Sequence, residues 1–254
     1  MDSLQASLVA KSWFGFDLDD TLHEFRKASG LASLAVFKTI HEQHRVPISV
    51  LTRSYSSILA QMTANAFACG KTSTAYRKER FDALLQAHHI STNDDHLENL
   101  AAIYKQALSA ALEPKSGALA LFQYLKRIGK RIIIITEGPR DAQEWTLEQL
   151  GLAQYVHILV TTNEMGLAKV DGLFEKVLQR YNIKAEDMVY IGDNEKRDAM
   201  PAAEAGILSV LYDEKSDCQL EGNRRTGSRL SINSLTRLEY ILRMGIDAAG
   251  KGER

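Results

Sequence analysis

The sequence predicts an α/β protein: a parallel sheet core flanked by helices on both faces, interrupted after its first strand by an all-helical insertion. Three observations carry that expectation. Short, continuously apolar runs alternate with helical patterns through the second half of the chain, as expected of strands buried on both faces. A similar apolar run, WFGF, stands alone near the N-terminus. Between it and the alternating region, apolar residues recur at helical spacing and almost nothing reads as strand.

The first strand lies in WFGFDLDDTL, residues 13–22, and stops on Asp17, Asp19 and Asp20. From about Phe25 to Leu112, LASLAVFKTI, VLTRSYSSILAQMTANAF, TAYRKERFDALLQAHH and DDHLENLAAIYKQALSAAL each show helical periodicity. From Glu113 the alternation begins: a helix from Gly117 to Ile128, the strand RIIIIT, a helix from Arg140 to Leu150, and the strand YVHILV. A helix from Leu173 to Tyr181, a strand in DMVYIGD, a helix from Glu195 to Ala205 and the strand ILSVLY complete it. Beyond Asp213 come a polar loop, GNRRTGSR, and an amphipathic packing helix around SLTRLEYILRM. The expected division is therefore a core of residues 1–24 and 113–254 and a helical unit of residues 25–112, without internal repeats or low-complexity segments.

Composition narrows the setting. A chain of 254 residues, 45% hydrophobic and 25% charged, suits one large domain or one domain with an insertion. Its 31 Lys and Arg nearly balance 32 Asp and Glu, so neither nucleic acid nor an acidic membrane surface is an expected partner. Cys69 and Cys218 lie far apart without metal-ligand spacing, which points to small buried or idle thiols in a reducing compartment. The N-terminal MDSLQASLVAKSW lacks a basic start and a long apolar stretch, and no segment approaches the roughly 20 apolar residues of a membrane span. A cytoplasmic location is the expectation.

Open parallel sheets bind ligands outside the carboxyl ends of their strands. Polar chemistry is placed there four times: Asp17, Asp19 and Asp20; Thr136, Glu137 and Gly138; Asn163 and Glu164; and Asp193. Carboxylates gathered from distant strands repel one another unless a cation sits among them. Oxygen-only ligands favour a hard divalent ion, and Mg²⁺, which takes one or two carboxylates plus substrate phosphate, fits best. Plainer readings compete at each position. DLDD also suits a helix N-cap with an acidic first turn. An EF-hand is excluded, since Leu22 and Ala28 stand where its Gly and Glu belong. Thr136 alone could cap a turn, Lys169 could be a solvated charge, and Asp193 and Asp198 could be a turn residue and a helix-surface acid. His23 either touches substrate or is a polar flap residue.

At these residues the sequence resembles the haloacid dehalogenase-like hydrolase superfamily, specifically its phosphatases with a helical cap inserted after the first motif. The resemblance spans about Trp13 to Tyr212: FDLDDTL, IIIITEG, Lys169 in GLAKVDGLFEKVL, and GDNEKRD occur in the family's order, each at the end of an inferred strand. It implies a Rossmann-like core and an Mg²⁺-dependent enzyme acting on a small phosphorylated metabolite: a nucleotide, a sugar phosphate or an acyl-sugar phosphate. By the resemblance, Asp17 is the nucleophile that forms an aspartyl-phosphate, and Asp19 is the acid that becomes the base. The metal is held by Asp17, the Asp19 carbonyl and Asp193, with Asp198 in support. Thr136 and the Glu137 N–H bind phosphoryl oxygens, and Lys169 neutralises charge. Two departures stand out: Glu137 replaces the usual Asn, and Val170 replaces the usual Pro.

Three alternatives remain at this point. A dehalogenase of the same superfamily displaces halide and needs no acid at Asp19. A phospho-accepting signalling domain would not carry the long helical insertion. A non-catalytic binder would not need Asp19. Within the insertion, Tyr76, Arg80, Phe81 and Leu84 favour one helix face, while Arg77, Lys78 and Glu79 spread around the remainder. Arg80 is then either a surface charge with a packed stem or a lid residue that grips the substrate's leaving group.

Overall fold

A computed structural model describes residues 3–63, 70–215 and 230–252. Cys69, Cys218 and the loop GNRRTGSR lie outside the described residues. The chain opens with a helix of little apolar periodicity, α1 (Ser3–Ala10), and enters β1 (Trp13–Phe16). Four helices follow: α2 (Phe25–His44), α3 (Ile48–Thr63), α4 (Ser73–Ala87) and α5 (Asp94–Ala111). Then come α6 (Ala118–Arg127), β2 (Arg131–Thr136), α7 (Arg140–Gln149), β3 (Ile158–Thr161), the single turn α8 (Thr162–Met165), α9 (Leu173–Tyr181) and β4 (Met188–Gly192). The chain ends with α10 (Met200–Glu204), β5 (Leu208–Tyr212), β6 (Ser231–Ile232) and α11 (Leu235–Gly252).

Among the described residues the strands form one six-stranded parallel sheet in the order β3-β2-β1-β4-β5-β6. Apolar side chains cover both faces. Phe14, Phe16, Ile132 and Ile134 pack with Phe122 and Leu238 on one side. Trp13, Ile133, Ile135 and Tyr190 pack with Leu173 and Phe174 on the other. This two-sided burial is why the strands read as continuous apolar runs rather than as alternating ones. Register then decides what meets at the sheet's carboxyl edge. Phe16 pairs with Ile134 on one neighbour and Ile191 on the other. The residues after it, Asp17 onward, therefore leave the sheet beside Thr136 and Asp193.

The four helices of the insertion enclose an apolar cluster of their own, with Val36, Phe37, Ile40, Phe81, Leu84 and Leu100 at its centre. Thr72 caps α4 by accepting from Ala75 N at 3.2 Å, and Asn93 caps α5 by accepting from His96 N at 2.9 Å. A core residue completes the start of α4. Asp141 on α7 accepts from Ser73 N at 3.0 Å and from Ser73 Oγ at 2.7 Å, tying the insertion to the sheet domain.

Several elements differ from the sequence expectation. YVHILV is strand only over Ile158–Thr161, because Ala153–Tyr155 first closes a 3₁₀ turn. The helix expected from Glu195 begins as a π turn, Glu195–Ala199, before α10. Pro201 has no N–H to give the Arg197 carbonyl, so the α-helical ladder cannot run through. The terminal helix is longer than its apolar centre suggested, and β6 adds an edge too short to leave a pattern. Among the described residues, no helix is long and apolar enough to cross a membrane.

Candidate active site

Asp17 follows β1 directly, and its N–H donates to Ile191 O at 2.9 Å, which continues the sheet pairing past the strand end. The side chain is almost wholly buried. Its Oδ1 accepts from Lys169 Nζ at 2.5 Å, while Oδ2 takes no hydrogen bond among the described residues. Lys169 donates equally to Asp198 Oδ1, also at 2.5 Å. Asp198 is further held by Tyr190 OH at 3.1 Å and by Asn194 N at 3.1 Å, so both of its oxygens are engaged. The fit depends on Gly192, where a Cβ would stand 2.5 Å from Asp198 Cγ. Electrostatics follow the packing. Burial pushes Asp17 well above the usual carboxylate range, with Lys169 opposing and Asp198 adding to the shift. For Lys169, burial alone would favour the neutral amine, but Asp17 and Asp198 outweigh it and hold the ammonium.

Asp193 directly follows β4, and its N–H donates to Thr21 Oγ1 at 3.0 Å. One oxygen each from Asp17, Asp193 and Asp198 lies within 4.8 Å of the others, the sort of cluster that could hold a metal ion. Burial raises Asp193 as well, followed by the Asp198 charge, and Arg26 opposes both. Arg26 sits at the start of α2 with its guanidinium 3.1 Å from Asp20 Oδ2 and 3.3 Å from Asp193 Oδ2. Two carboxylates raised by burial, and an oxygen-only donor set, suit a hard divalent cation.

The Asp19 side chain is not part of that cluster. Its Oδ1 lies 2.9 Å from His23 Nε2, and His23 is fully buried. Of the two roles open to His23 in the sequence, neither is this one: it orients Asp19. Thr136, at the end of β2, is fully buried and its Oγ1 has no hydrogen-bond partner among the described residues. Glu137 forms an ion pair with Arg197, so the carboxylate that replaces the usual Asn meets a cation. Beyond it Gly138, at φ 117°, turns the chain and donates its N–H to Thr162 Oγ1 at 3.1 Å. Val170 is 55% exposed, and the turn Lys169–Asp171 closes without a proline through Asp171 N to Ala168 O at 3.0 Å.

Asp17, Asp19, Thr136, Glu137, Lys169, Asp193 and Asp198 line one pocket of about 240 Å³, joined by Asp20, Arg26 and Arg197. Asn163 and Glu164 do not line it. Glu164 pairs with Arg140 and Arg180, and Asn163 donates to Lys71 O. The pocket shares Asp19, Phe25, Arg26, Glu137 and Arg197 with a larger cavity of about 750 Å³ beneath the helical insertion. Arg80 lines that cavity, and so does Arg77, which the helical pattern left off the favoured face. The two stand one turn apart, a spacing that puts them on one face. His23, Arg26 and Arg197 carry no comparable signal, because their partners are met through loops.

The family model for haloacid dehalogenase-like hydrolases matches residues 12–206. Among curated proteins, the chain is 26% identical to the glyceraldehyde 3-phosphate phosphatase of Methanocaldococcus jannaschii, covering 90% of this chain and 95% of that one. It is 24% identical to the pyrimidine 5'-nucleotidase YjjG of Escherichia coli, over 91% of this chain and 97% of that one. Among solved structures, the HAD-hydrolase YfnB of Bacillus subtilis, bound to magnesium, superposes with a TM-score of 0.67 at 22% identity, covering 92% and 99% of the two chains.

Proposed function

This chain belongs to the haloacid dehalogenase-like hydrolases, and from that premise we propose that it is an Mg²⁺-dependent phosphatase of a small phosphorylated metabolite, with Asp17 as nucleophile. One observation carries the reading: the Asp17 carboxylate has one oxygen fixed by Lys169 and the other without a hydrogen bond among the described residues, at the wall of the pocket. Relatives named as phosphatases and a nucleotidase support it. Residues 25–112 act in this account as a cap over the site, and residues 1–24 and 113–254 as the core.

The residues that would hold the metal are Asp17, Asp193 and the backbone carbonyl of Asp19. Asp198 supports them by holding Lys169, since its own oxygens are already engaged. When bound, the ion supplies the positive charge that lets these carboxylates stand beside a phosphate dianion. Asp17 Oδ2 attacks phosphorus as the bond from phosphorus to the leaving oxygen breaks, and Asp19 gives that oxygen its proton. Water then attacks the phosphorus of the aspartyl-phosphate and gives a proton to Asp19, releasing inorganic phosphate and restoring Asp17. The Thr136 hydroxyl and the Glu137 N–H donate to phosphoryl oxygens, and Lys169 offsets the charge of the nucleophile. His23 holds Asp19 between its two uses. The four helices shield the substrate from bulk water during transfer to Asp17, before water enters for the second step.

Halide displacement would leave Asp19 and its buried histidine without a task, which favours phosphate over a dehalogenase reading. The test is steady-state hydrolysis of p-nitrophenyl phosphate with and without Mg²⁺. Turnover that requires the metal, stops in EDTA and vanishes in folded Asp17→Asn protein is the expected result. Full activity in chelator, or in Asp17→Asn, would overturn it.

A further inference from the structure

We propose that Arg77 forms a subsite for a second anionic group, so that the substrate's alcohol part is an extended, partly apolar molecule bearing a carboxylate or a second phosphate. This rests on the phosphatase reading for the identity of the first anion. The size of the cavity is the first support. Pockets of about 300–1,000 Å³ take drug-sized ligands, and a triose would leave most of the 750 Å³ beneath the insertion unfilled. The walls suit a larger body, since Phe25, Tyr55, Tyr76, Tyr104 and Trp145 all line it. Aromatic faces of this kind pack against rings and hydrocarbon while keeping hydroxyls for polar contact.

Arg77 supplies the charge. It projects from α4 with its guanidinium centred 4.8 Å over the Tyr104 ring and NH1 donating to Ser73 Oγ at 3.3 Å. Among the described residues, no carboxylate forms an ion pair with it. Asp141, which meets the same Ser73, is occupied by the Ser73 N–H and hydroxyl. Arg77 is half-buried in a wall that carries Tyr55, Tyr76, Tyr104 and Trp145, and its bonds to Ser73 and the Tyr104 side chain engage only part of its five-donor set. A cation in that setting is stabilised by an anion delivered with the ligand, and a carboxylate or phosphate can take two parallel N–H bonds from it. Arg80 lines the same cavity, and Tyr55 and Tyr104 lie close enough to feel both arginines. Arg26 and Arg197 pair with Asp20, Asp193 and Glu137 beside the catalytic pocket, whereas Arg77 lines the larger cavity and forms no ion pair with a carboxylate among the described residues.

The experiment uses the full chain with Mg²⁺ and two matched sets of esters. One set is glucose 6-phosphate, 6-phosphogluconate and glucose 1,6-bisphosphate. The other is uridine 5'-monophosphate, orotidine 5'-monophosphate and uridine 3',5'-bisphosphate. In at least one set, kcat/KM for the ester with a second anionic group should exceed that of the partner bearing the single phosphate by about tenfold or more, and the ratio should collapse toward one in Arg77→Met and recover partly in Arg77→Lys. The carboxylate and bisphosphate arms tell which anion is preferred. Calorimetric binding of the same esters reads the subsite without turnover. A binding preference lost in Arg77→Met, in protein that hydrolyses neither these esters nor p-nitrophenyl phosphate, would sink the phosphatase reading and keep the subsite. Hydrolysis without any preference, or a preference that survives Arg77→Met, would overturn the subsite and keep the phosphatase.

Discussion

His23 Nε2 lies 2.9 Å from Asp19 Oδ1, and the histidine that holds this contact is fully buried, with Nδ1 lacking a hydrogen-bond partner among the described residues. A ring so enclosed has one polar contact to make, and it makes it to the proposed acid–base residue. His23 is therefore a positioning residue.

Replacing His23 by Ala should lower kcat by about ten- to a hundredfold for alkyl phosphates, since a misplaced acid loses efficiency steeply. The loss should be smaller for p-nitrophenyl phosphate, whose leaving group departs without a proton. Steady-state kinetics on both ester types checks this. Equal losses would assign His23 to the fold alone.

The Glu137–Arg197 pair predicts a compensating double variant. Arg197→Met leaves a carboxylate beside the phosphate and should raise KM by about tenfold. Adding Glu137→Asn removes the repulsion and should restore most of the affinity, so the two changes are non-additive. Independent effects in a double-mutant cycle would refute the coupling.

Metal binding should depend on pH with a definite sign. Burial raises Asp17 and Asp193 in the metal-free protein, so both keep protons above the ordinary carboxylate range. Their raised folded values mean that these groups favour the metal-free fold least as pH climbs through that window, where a cation then has most to offset. The rise in unfolding midpoint caused by Mg²⁺ should be larger at about pH 8 than at about pH 5. Differential scanning measurements at both pH values decide it, and an equal shift would contradict the assignment.

Asp141 fixes the start of α4 from outside the insertion. Asp141→Ala should destabilise the protein by about 1–3 kcal/mol, the range for losing a cap and leaving donors unmet. Denaturant unfolding measures it. An unchanged midpoint would mean that solvent replaces the contact at no cost.

Much of this was legible before any coordinates. Asp17, Thr136 and Asp193 follow apolar runs, and in a parallel sheet the register alone brings such residues to one edge. Lys169 and Asp198 were legible only through motif order, because a 3₁₀ turn and a π turn present them rather than strand ends. Arg197 stayed hidden, and His23 was singled out without its contact to Asp19, since each reaches its partner through loop geometry that no periodicity encodes. Arg77 was misplaced for a different reason. Its side chain reaches a cavity lined by aromatic and aliphatic residues together with polar ones, and apolar spacing along a helix does not register a cation on such a wall. The fold's missed pieces, α1, α8 and β6, are an unpatterned helix, a single turn and a strand of two residues.

The central claim is that Asp17 carries the phosphoryl group and Asp19 serves its release. The most direct test is a rapid-mix experiment on Asp19→Asn with p-nitrophenyl phosphate, whose leaving group needs no acid while hydrolysis of the intermediate still needs the base. The account predicts a burst of p-nitrophenol equal to the enzyme present, followed by slow turnover, with mass spectrometry of the acid-quenched protein locating one phosphoryl group on Asp17. Turnover without a burst, and with no phosphoryl group on the peptide that contains Asp17, would contradict it.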